Sequence, residues 1–193
     1  MRVLTIACCM FAAFPAAAAE YVVSPDESTI TYTVKTFGLF RNSGAFGAFD
    51  IHLKVDEQHP DQNFLLANID MTTATMSGAG ATARVRSPAW FDIDEYPVSE
   101  FRAAGVPPLE DAAADIRGEY TLRGKTEPLL LAVETNAPER DADGEIRAIR
   151  IRAHGAIDRK KYGLNGMKGL VGRMVEISID ARLVRKEGDG DGN

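Results

Sequence analysis

Met174-Val175-Glu176-Ile177-Ser178-Ile179-Asp180-Ala181-Arg182-Leu183 decides how this chain folds. Apolar and polar residues alternate over most of this stretch. Successive side chains of a strand point to opposite faces, so such a segment has one dry face and one wet face. The same alternation recurs in Ile30-Thr31-Tyr32-Thr33-Val34-Lys35 and in Phe49-Asp50-Ile51-His52-Leu53-Lys54-Val55. Further candidate strands are 64–71, 99–103, 115–123, 127–135 and 145–154, several of them rich in β-branched and aromatic residues. Pro25-Asp26, Gln58-His59-Pro60-Asp61, Pro107-Pro108, Arg123-Gly124 and Ala142-Asp143-Gly144 break the pattern as turns. About eight strands with short connections read as an antiparallel sandwich or barrel.

Two regions depart from the strand pattern. Residues 77–92 contain an Ala-rich run that predicts one or two helical turns, stopped before Pro88. Residues 160–173 carry four glycines and read as a mobile connection before the last strand.

The ends of the chain carry different information. Arg2 is followed by an apolar run, Val3 to Phe14, then Pro15 and an alanine cluster ending Ala17-Ala18-Ala19. That order predicts a secretory signal peptide over residues 1–19, cleaved near Glu20. Both cysteines, Cys8 and Cys9, lie within it, so the exported chain has no thiol and no disulfide. A lipoprotein anchor at Cys8 is the competing reading, but the apolar approach to Cys8 is short. A membrane-spanning helix needs ~20 apolar residues, and no stretch supplies them. Residues 20–185 form one domain large enough for its own core. The tail 186–193, ending Gly188-Asp189-Gly190-Asp191-Gly192-Asn193, has little to bury and is expected to be disordered.

The chain has 22 basic against 28 acidic residues, a net charge of -6. Its cations are scattered with no basic stripe, which argues against nucleic acid. On composition alone, the same balance argues against docking on an anionic lipid surface.

A search for reactive chemistry returns little. His52, His59 and His154 are not at ligand spacing, and without cysteine a soft zinc site is excluded. There is no G-x-S-x-G elbow. Ser77-Gly78-Ala79-Gly80 lacks the lysine of a phosphate loop. Asp92, Asp94 and Glu95 would have to face one another across a cleft to form a carboxylate-pair hydrolase, and their spacing fits a turn. What remains is apolar character. The dry parity carries Ile30, Tyr32, Val34, Phe49, Ile51, Leu122, Leu129, Leu131, Val133, Val175, Ile177 and Ile179, with Trp90, Phe91 and Phe101 near by. This is either a filled core or a barrel lumen left partly open, since about eight strands leave just enough width for side chains or one slender ligand.

Several blocks then resemble the YceI-like periplasmic family, lipocalin-like β-barrels associated with polyisoprenoid binding. They are Tyr21 to Val34, Gly44-Ala45-Phe46-Gly47-Ala48-Phe49, and Arg86-Ser87-Pro88-Ala89-Trp90-Phe91-Asp92 with Tyr96-Pro97-Val98-Ser99-Glu100-Phe101. Gly118-Glu119-Tyr120-Thr121-Leu122-Arg123-Gly124-Lys125-Thr126 and Asp158-Arg159-Lys160-Lys161-Tyr162-Gly163-Leu164 follow in the family's order. The chain departs from the pattern at Thr36, where the family commonly has histidine. It departs again at Ala81, Thr82 and Arg84, which replace an Arg-Asp pair and a later histidine.

The resemblance implies an all-β, antiparallel lipocalin-like barrel of about eight strands with one or two short helices. It implies a non-enzymatic periplasmic carrier of a long-chain isoprenoid lipid or quinone, with no other cofactor and no metal. The tunnel lining expected on this basis is Tyr32, Val34, Phe37, Phe49, Ile51, Trp90, Phe101, Leu122, Leu131, Met174, Val175 and Ile177. Arg84, Arg86 and Arg159 are placed at its mouth, and 163–172 is a candidate gate. Membrane proteins are possible donors or acceptors of the lipid, and the chain is expected to be a monomer or homodimer. The alternatives are a secreted hydrolase with an acidic site and a ligand-free β-sandwich that binds proteins.

Overall fold

The computed structural model describes residues 18–56, 58–107, 113–167 and 169–187. Residues 1–17 of the expected export segment, and the tail from 188 onward, lie outside the described residues.

In chain order the elements are β1 (Ala19–Val23), β2 (Thr29–Thr36), β3 (Phe40–Phe46), β4 (Phe49–Val55), β5 (Phe64–Asp70), β6 (Thr75–Met76), α1 (Ala81–Arg86), β7 (Val98–Ala104), β8 (Ala113–Leu122), β9 (Lys125–Thr135), β10 (Glu139–Arg140), β11 (Ile146–Asp158) and β12 (Val171–Arg185). Three pairs of these are single bent staves. A 3-10 turn begun by Pro25 separates β1 from β2, Gly47-Ala48 separates β3 from β4, and a second 3-10 turn at Met71–Thr73 separates β5 from β6. The bends are tied together. The Thr73 hydroxyl accepts from the amides of Gly47 (3.0 Å) and Ala48 (3.1 Å), which the break in the ladder would otherwise strand.

Counted as staves, eight strands close an antiparallel barrel. Each stave pairs with the next in the chain. β12 closes the sheet by pairing with β11 over Met174–Val184, with β2 around Val175–Asp180, and with β1 over Leu183–Arg185. A closed cylinder leaves no exposed edge for other chains to pair with. β10 is a short ribbon on β11.

The alternating residues meet inside. Ile30, Tyr32, Ile51, Leu53, Phe101, Leu122, Leu129, Leu131, Ala153, Ile157, Ala181 and Leu183 are buried in one continuous cluster. The end formed by Asp56, 58–63, 105–107 and 136–145 is stoppered. Buried Asn63 donates to the Val106 carbonyl (2.8 Å) and accepts from the Asp56 amide (2.7 Å), and Val55, Leu65, Ala103 and Val106 pack around it. At the other end α1 lies across the opening, with Val85 and Phe91 turned inward.

Gly44 is required by close approach. A Cβ there would lie 2.1 Å from the Thr75 carbonyl oxygen and 2.4 Å from the Tyr32 ring. Gly44→Ala is therefore expected to destabilise by about 1–3 kcal/mol in chemical denaturation. Gly47→Ala, whose added carbon meets only an ordinary contact at 3.4 Å, should change little.

Candidate functional site

The interior is subdivided by its own aromatic side chains. Tyr32, Phe46 and Phe91 form a triangle, with ring centroids 5.0 Å (Tyr32–Phe46), 5.6 Å (Tyr32–Phe91, edge-on) and 6.0 Å (Phe46–Phe91) apart. Tyr120 meets Tyr162 edge-on at 5.7 Å. The phenols have internal partners. The Tyr32 hydroxyl donates to the Thr75 carbonyl (2.7 Å) and that of Tyr120 to the Ser99 hydroxyl (3.1 Å). Burial raises the pKa of Tyr32 and Tyr162, and pushes that of Tyr120 up to about 12.

Around these rings lie three neighbouring spaces that share walls. A groove of about 260 Å³ opens at the α1 end between α1, the ends of β2 and β3, and the 163–171 segment. Val34, Met76, Val85 and Trp90 line both this groove and an inner chamber of about 40 Å³ walled by Tyr32, Leu122, Ile157 and Val175. Phe46, Tyr120 and Ile177 divide that chamber from a deeper one of about 60 Å³. The deeper chamber is lined by Ile30, Ile51, Leu65, Phe101, Leu131, Val133 and Ala153 among others, and every lining residue is apolar or aromatic. The chambers are small because side chains nearly fill the barrel.

The candidate lining residues distribute along this line. Val34, Phe37 and Trp90 border the groove, and Val34 and Trp90 also border the inner chamber with Tyr32, Leu122, Val175 and Ile177. Ile51, Phe101, Leu131 and Ile177 border the deeper one. Two candidates stand apart. Phe49 packs half-buried against the core without bordering any of the three spaces. Met174 is half-exposed on the outer face, because it neighbours inward Val175 and successive residues of a strand face opposite sides. Residues that sequence reasoning left out of the lining include Phe46, Met76, Val85, Phe91, Tyr120 and Leu164 around the groove and inner chamber, and Ile30, Leu129, Val133 and Ala153 in the deeper one. Phe46 and Tyr120 were legible, since they share the inward parity of Gly44 and Leu122.

The three arginines also separate. Arg84 is exposed and borders the groove. Arg86 donates from Nε to the Ala74 carbonyl (2.7 Å), bracing α1. Arg159 is buried, with 1 % of its surface exposed. Its Nε donates to the carbonyl of Gly172 (2.7 Å), Nη1 to those of Leu164 and Gly166 (3.2 Å to Gly166), and Nη2 to that of Val171 (3.0 Å). Neighbouring Asp158 instead accepts from Arg173 (2.6 Å), which holds its carboxyl below the usual range. The guanidinium also lies 5.3 Å from the Trp90 ring centroid. Arg159 thus fastens the glycine-rich segment across the barrel end, with its donors spent on backbone. Gly166 allows the fit, because a Cβ there would sit 2.3 Å from Trp90.

Two of the three acidic residues weighed for hydrolysis are engaged elsewhere. Asp92 pairs with Arg123 (3.1 Å), which also donates to the Gly163 carbonyl (2.8 Å), and Glu95 accepts from the Tyr96 hydroxyl (2.7 Å). Among the described residues no three His, Cys, Asp or Glu side chains cluster as metal ligands would.

Arg159→Gln leaves buried carbonyls without donors and is expected to cost at least about 2 kcal/mol, with faster proteolysis inside 163–172. Tyr120 has the ordinary phenol value of 10.0 unfolded and about 12 folded. Its contribution is complete below pH 10 and is lost as pH rises through about 12. Circular dichroism should show stability falling across that window, less steeply in Tyr120→Phe.

Comparison with known proteins matches this architecture. A "Protein YceI" of Shigella flexneri is 26% identical over 186 residues, covering 95% of this chain and 96% of that one. A UPF0312 protein of Pseudomonas savastanoi pv. phaseolicola is 22% identical over 191 residues, covering 97% of each. Among solved structures, Burkholderia cenocepacia BcnA superposes with a TM-score of 0.70 at 19% identity, covering 83% of this chain and 98% of that one. A polyisoprenoid binding domain from Saccharophagus degradans, implicated in plant cell wall breakdown, gives 0.64 at 13% identity, covering 86% and 98%. The family model for the YceI-like domain matches residues 21–183, and the chain belongs to the YceI-like family.

Proposed function

We propose that this chain is a non-enzymatic carrier that holds the tail of one long-chain isoprenoid lipid or isoprenoid quinone inside its barrel. The observation that carries the reading is the succession of mainly apolar spaces from the groove at Trp90, past Tyr32 and Phe46, to the chamber at Phe101 and Ala153. The polyisoprenoid binding of the Saccharophagus degradans domain supports the same choice of ligand. An isoprenoid tail has no charge and almost no hydrogen-bonding groups, so shape and burial alone must hold it. Burying on the order of 500 Å² of tail at ~25 cal/mol/Å² gives roughly 12 kcal/mol. Association and ordering costs take back several kcal/mol, by rough estimate.

The tail enters by displacing side chains. Phe46 and Tyr120 form the partition between the two chambers, and their rotation joins them. Arg84 stands beside the groove, where a polar head group stays wet. The apolar start of the sequence supports export, with the periplasm as the place of work. There the chain acts as a monomer or homodimer that exchanges its cargo with a membrane-protein donor or acceptor.

Solvent extraction of the purified chain followed by mass spectrometry should release a long-chain isoprenoid. An empty protein that also fails to take up an added isoprenoid would refute the carrier reading. Ala153→Leu, which fills the deeper chamber, should weaken binding of a long tail at least tenfold and leave a short one nearly unaffected, as read by titration with tails of graded length.

A further inference from the structure

Six of the nine large apolar residues exposed among the described residues lie in two adjacent segments at the groove end: Phe37, Leu39 and Phe40, and Met167, Leu170 and Met174. The segments touch. The Phe37 amide donates to the Leu170 carbonyl (2.8 Å), and Thr36 pairs with both Phe40 and Val171. Leu39 is 84% exposed and Phe40 is 65% exposed at the turn between β2 and β3. An apolar group of this kind on a folded surface marks a place of contact.

The charges around it are not those of the chain as a whole. Lys35 and Arg41 flank the turn, Lys160, Lys161 and Arg173 follow β11 and open β12, and Arg84 faces the groove. Beside the apolar tip lies a space of about 420 Å³ bordered by Arg159, Lys160, Asn165, Gly169, Val171 and Arg173. Acids also lie at this end: Arg41 reaches Glu176, Lys161 reaches Glu127, Arg173 reaches Asp158 and Arg123 reaches Asp92, with Asp94 and Glu95 in the same α1–β7 connection. Lys35, Arg84 and Lys160 make no ion pair among the described residues. The connections of the opposite end have the reverse sign. They carry Asp56 and Asp61, then Glu139, Asp141, Asp143 and Glu145, with Arg140 among them, and the adjoining strand ends add Lys54, Arg147, Arg182, Arg185 and Lys186, of which Arg182 pairs with Glu139 and Arg185 with Glu145. The connections make the barrel an axial charge dipole with an apolar tip on its positive end. The expectation against anionic lipid surfaces rests on the net charge, which does not describe this end.

We propose that the groove end is a docking face for an anionic phospholipid bilayer. Leu39, Phe40 and Leu170 enter the interfacial layer, the surrounding cations meet the lipid phosphates, and the negative end points away. Phe37 and Met167 belong both to the tip and to the groove wall, so docking sets the groove opening against the bilayer. A tail could then pass from lipid to barrel without crossing water. Docking itself depends on surface side chains and charge, whatever the barrel holds.

The test uses the full chain and vesicles of phosphatidylcholine alone or with added phosphatidylglycerol, carrying acyl chains brominated along their length. Tryptophan fluorescence is read for Leu39→Trp and, as a control on the barrel wall, Leu130→Trp, after subtracting the parent chain's Trp90 signal. Position-specific quenching separates the tip from any contact made by residues 1–17. Bromolipid should quench the tryptophan at 39 and spare that at 130, only with phosphatidylglycerol present. Quenching should fade as ionic strength rises from about 0.1 to about 1 M, which shortens the Debye length from ~10 to ~3 Å. The combined variant Leu39→Ser, Phe40→Ser, Leu170→Ser should lose this association at least tenfold while still taking up an isoprenoid presented in detergent. No quenching at 39, equal quenching at 130, or independence from lipid charge would overturn the proposal. So would self-association in sedimentation that these serines abolish, which would assign the patch to a second copy of the chain. Failure to take up isoprenoid while the quenching pattern stands would count against the carrier reading alone.

Discussion

β12 is paired along both of its edges, to β11 on one side and to β2 and β1 on the other. That double pairing is the constraint on which the interior depends. A sheet of the same sequence left open at β12 would expose the inner faces of Val175, Ile177 and Ile179, and no second layer exists to cover them. Closure satisfies the backbone and turns every inward residue toward one axis at once. An enclosed apolar line is therefore a consequence of closing a strongly alternating sheet.

How much space remains along that line is a balance between ring size and backbone approach. Gly44 allows the Tyr32 ring to lie across β3, and Gly118 does the same for Phe101 on β8. The rings spread over glycine backbone instead of meeting side chains head-on. That packs the barrel densely enough to stand without disulfide or metal, yet leaves residual chambers on either side of Phe46 and Tyr120. The far end is shut by a polar knot at Asn63. The α1 end is shut by Trp90, Phe91 and a glycine-rich segment fastened by Arg159, Arg123 and the Phe37 amide. A compact polar knot closes one end and an aromatic, glycine-rich cover beside an open groove closes the other, so the two ends of the barrel are not equivalent.

The strands were legible because alternation over seven or more residues has one structural meaning, and Ile51, Leu131 and Ile177 fell where parity put them. The failures have physical causes. Met174 has the parity of Glu176 and Ser178, opposite to Val175, so alternation itself puts it outside, and Met174 and Val175 could not both line one lumen. Phe37 sits at positive φ (50°) in a turn, where parity carries no information. Arg159 is the instructive case. It continues the inward series Ile151, Ala153, Gly155, Ile157 of β11, so parity pointed into the barrel end. Its charge suggested water instead, and a read of residue type alone places it at a wet mouth. The carbonyls that make its burial tolerable lie five to thirteen residues downstream in a glycine-rich stretch, and no local pattern announces such a partnership.

Net charge misleads for a related reason. A total of -6 averages over an up-and-down barrel whose alternate connections lie at opposite ends. The sum is unchanged if the acids and cations exchange ends, but the field outside the molecule reverses. Over the Debye length of ~8 Å at physiological salt, a surface meets only the nearest end of a barrel several times longer than that. Whatever approaches Leu39 and Phe40 meets Lys35, Arg41 and Lys160 long before it meets Asp141 or Glu145. Once a closed barrel fixes which connections share an end, the sign of each end can be read from the sequence of its connections, and that sign, rather than the total, governs what the groove end can face.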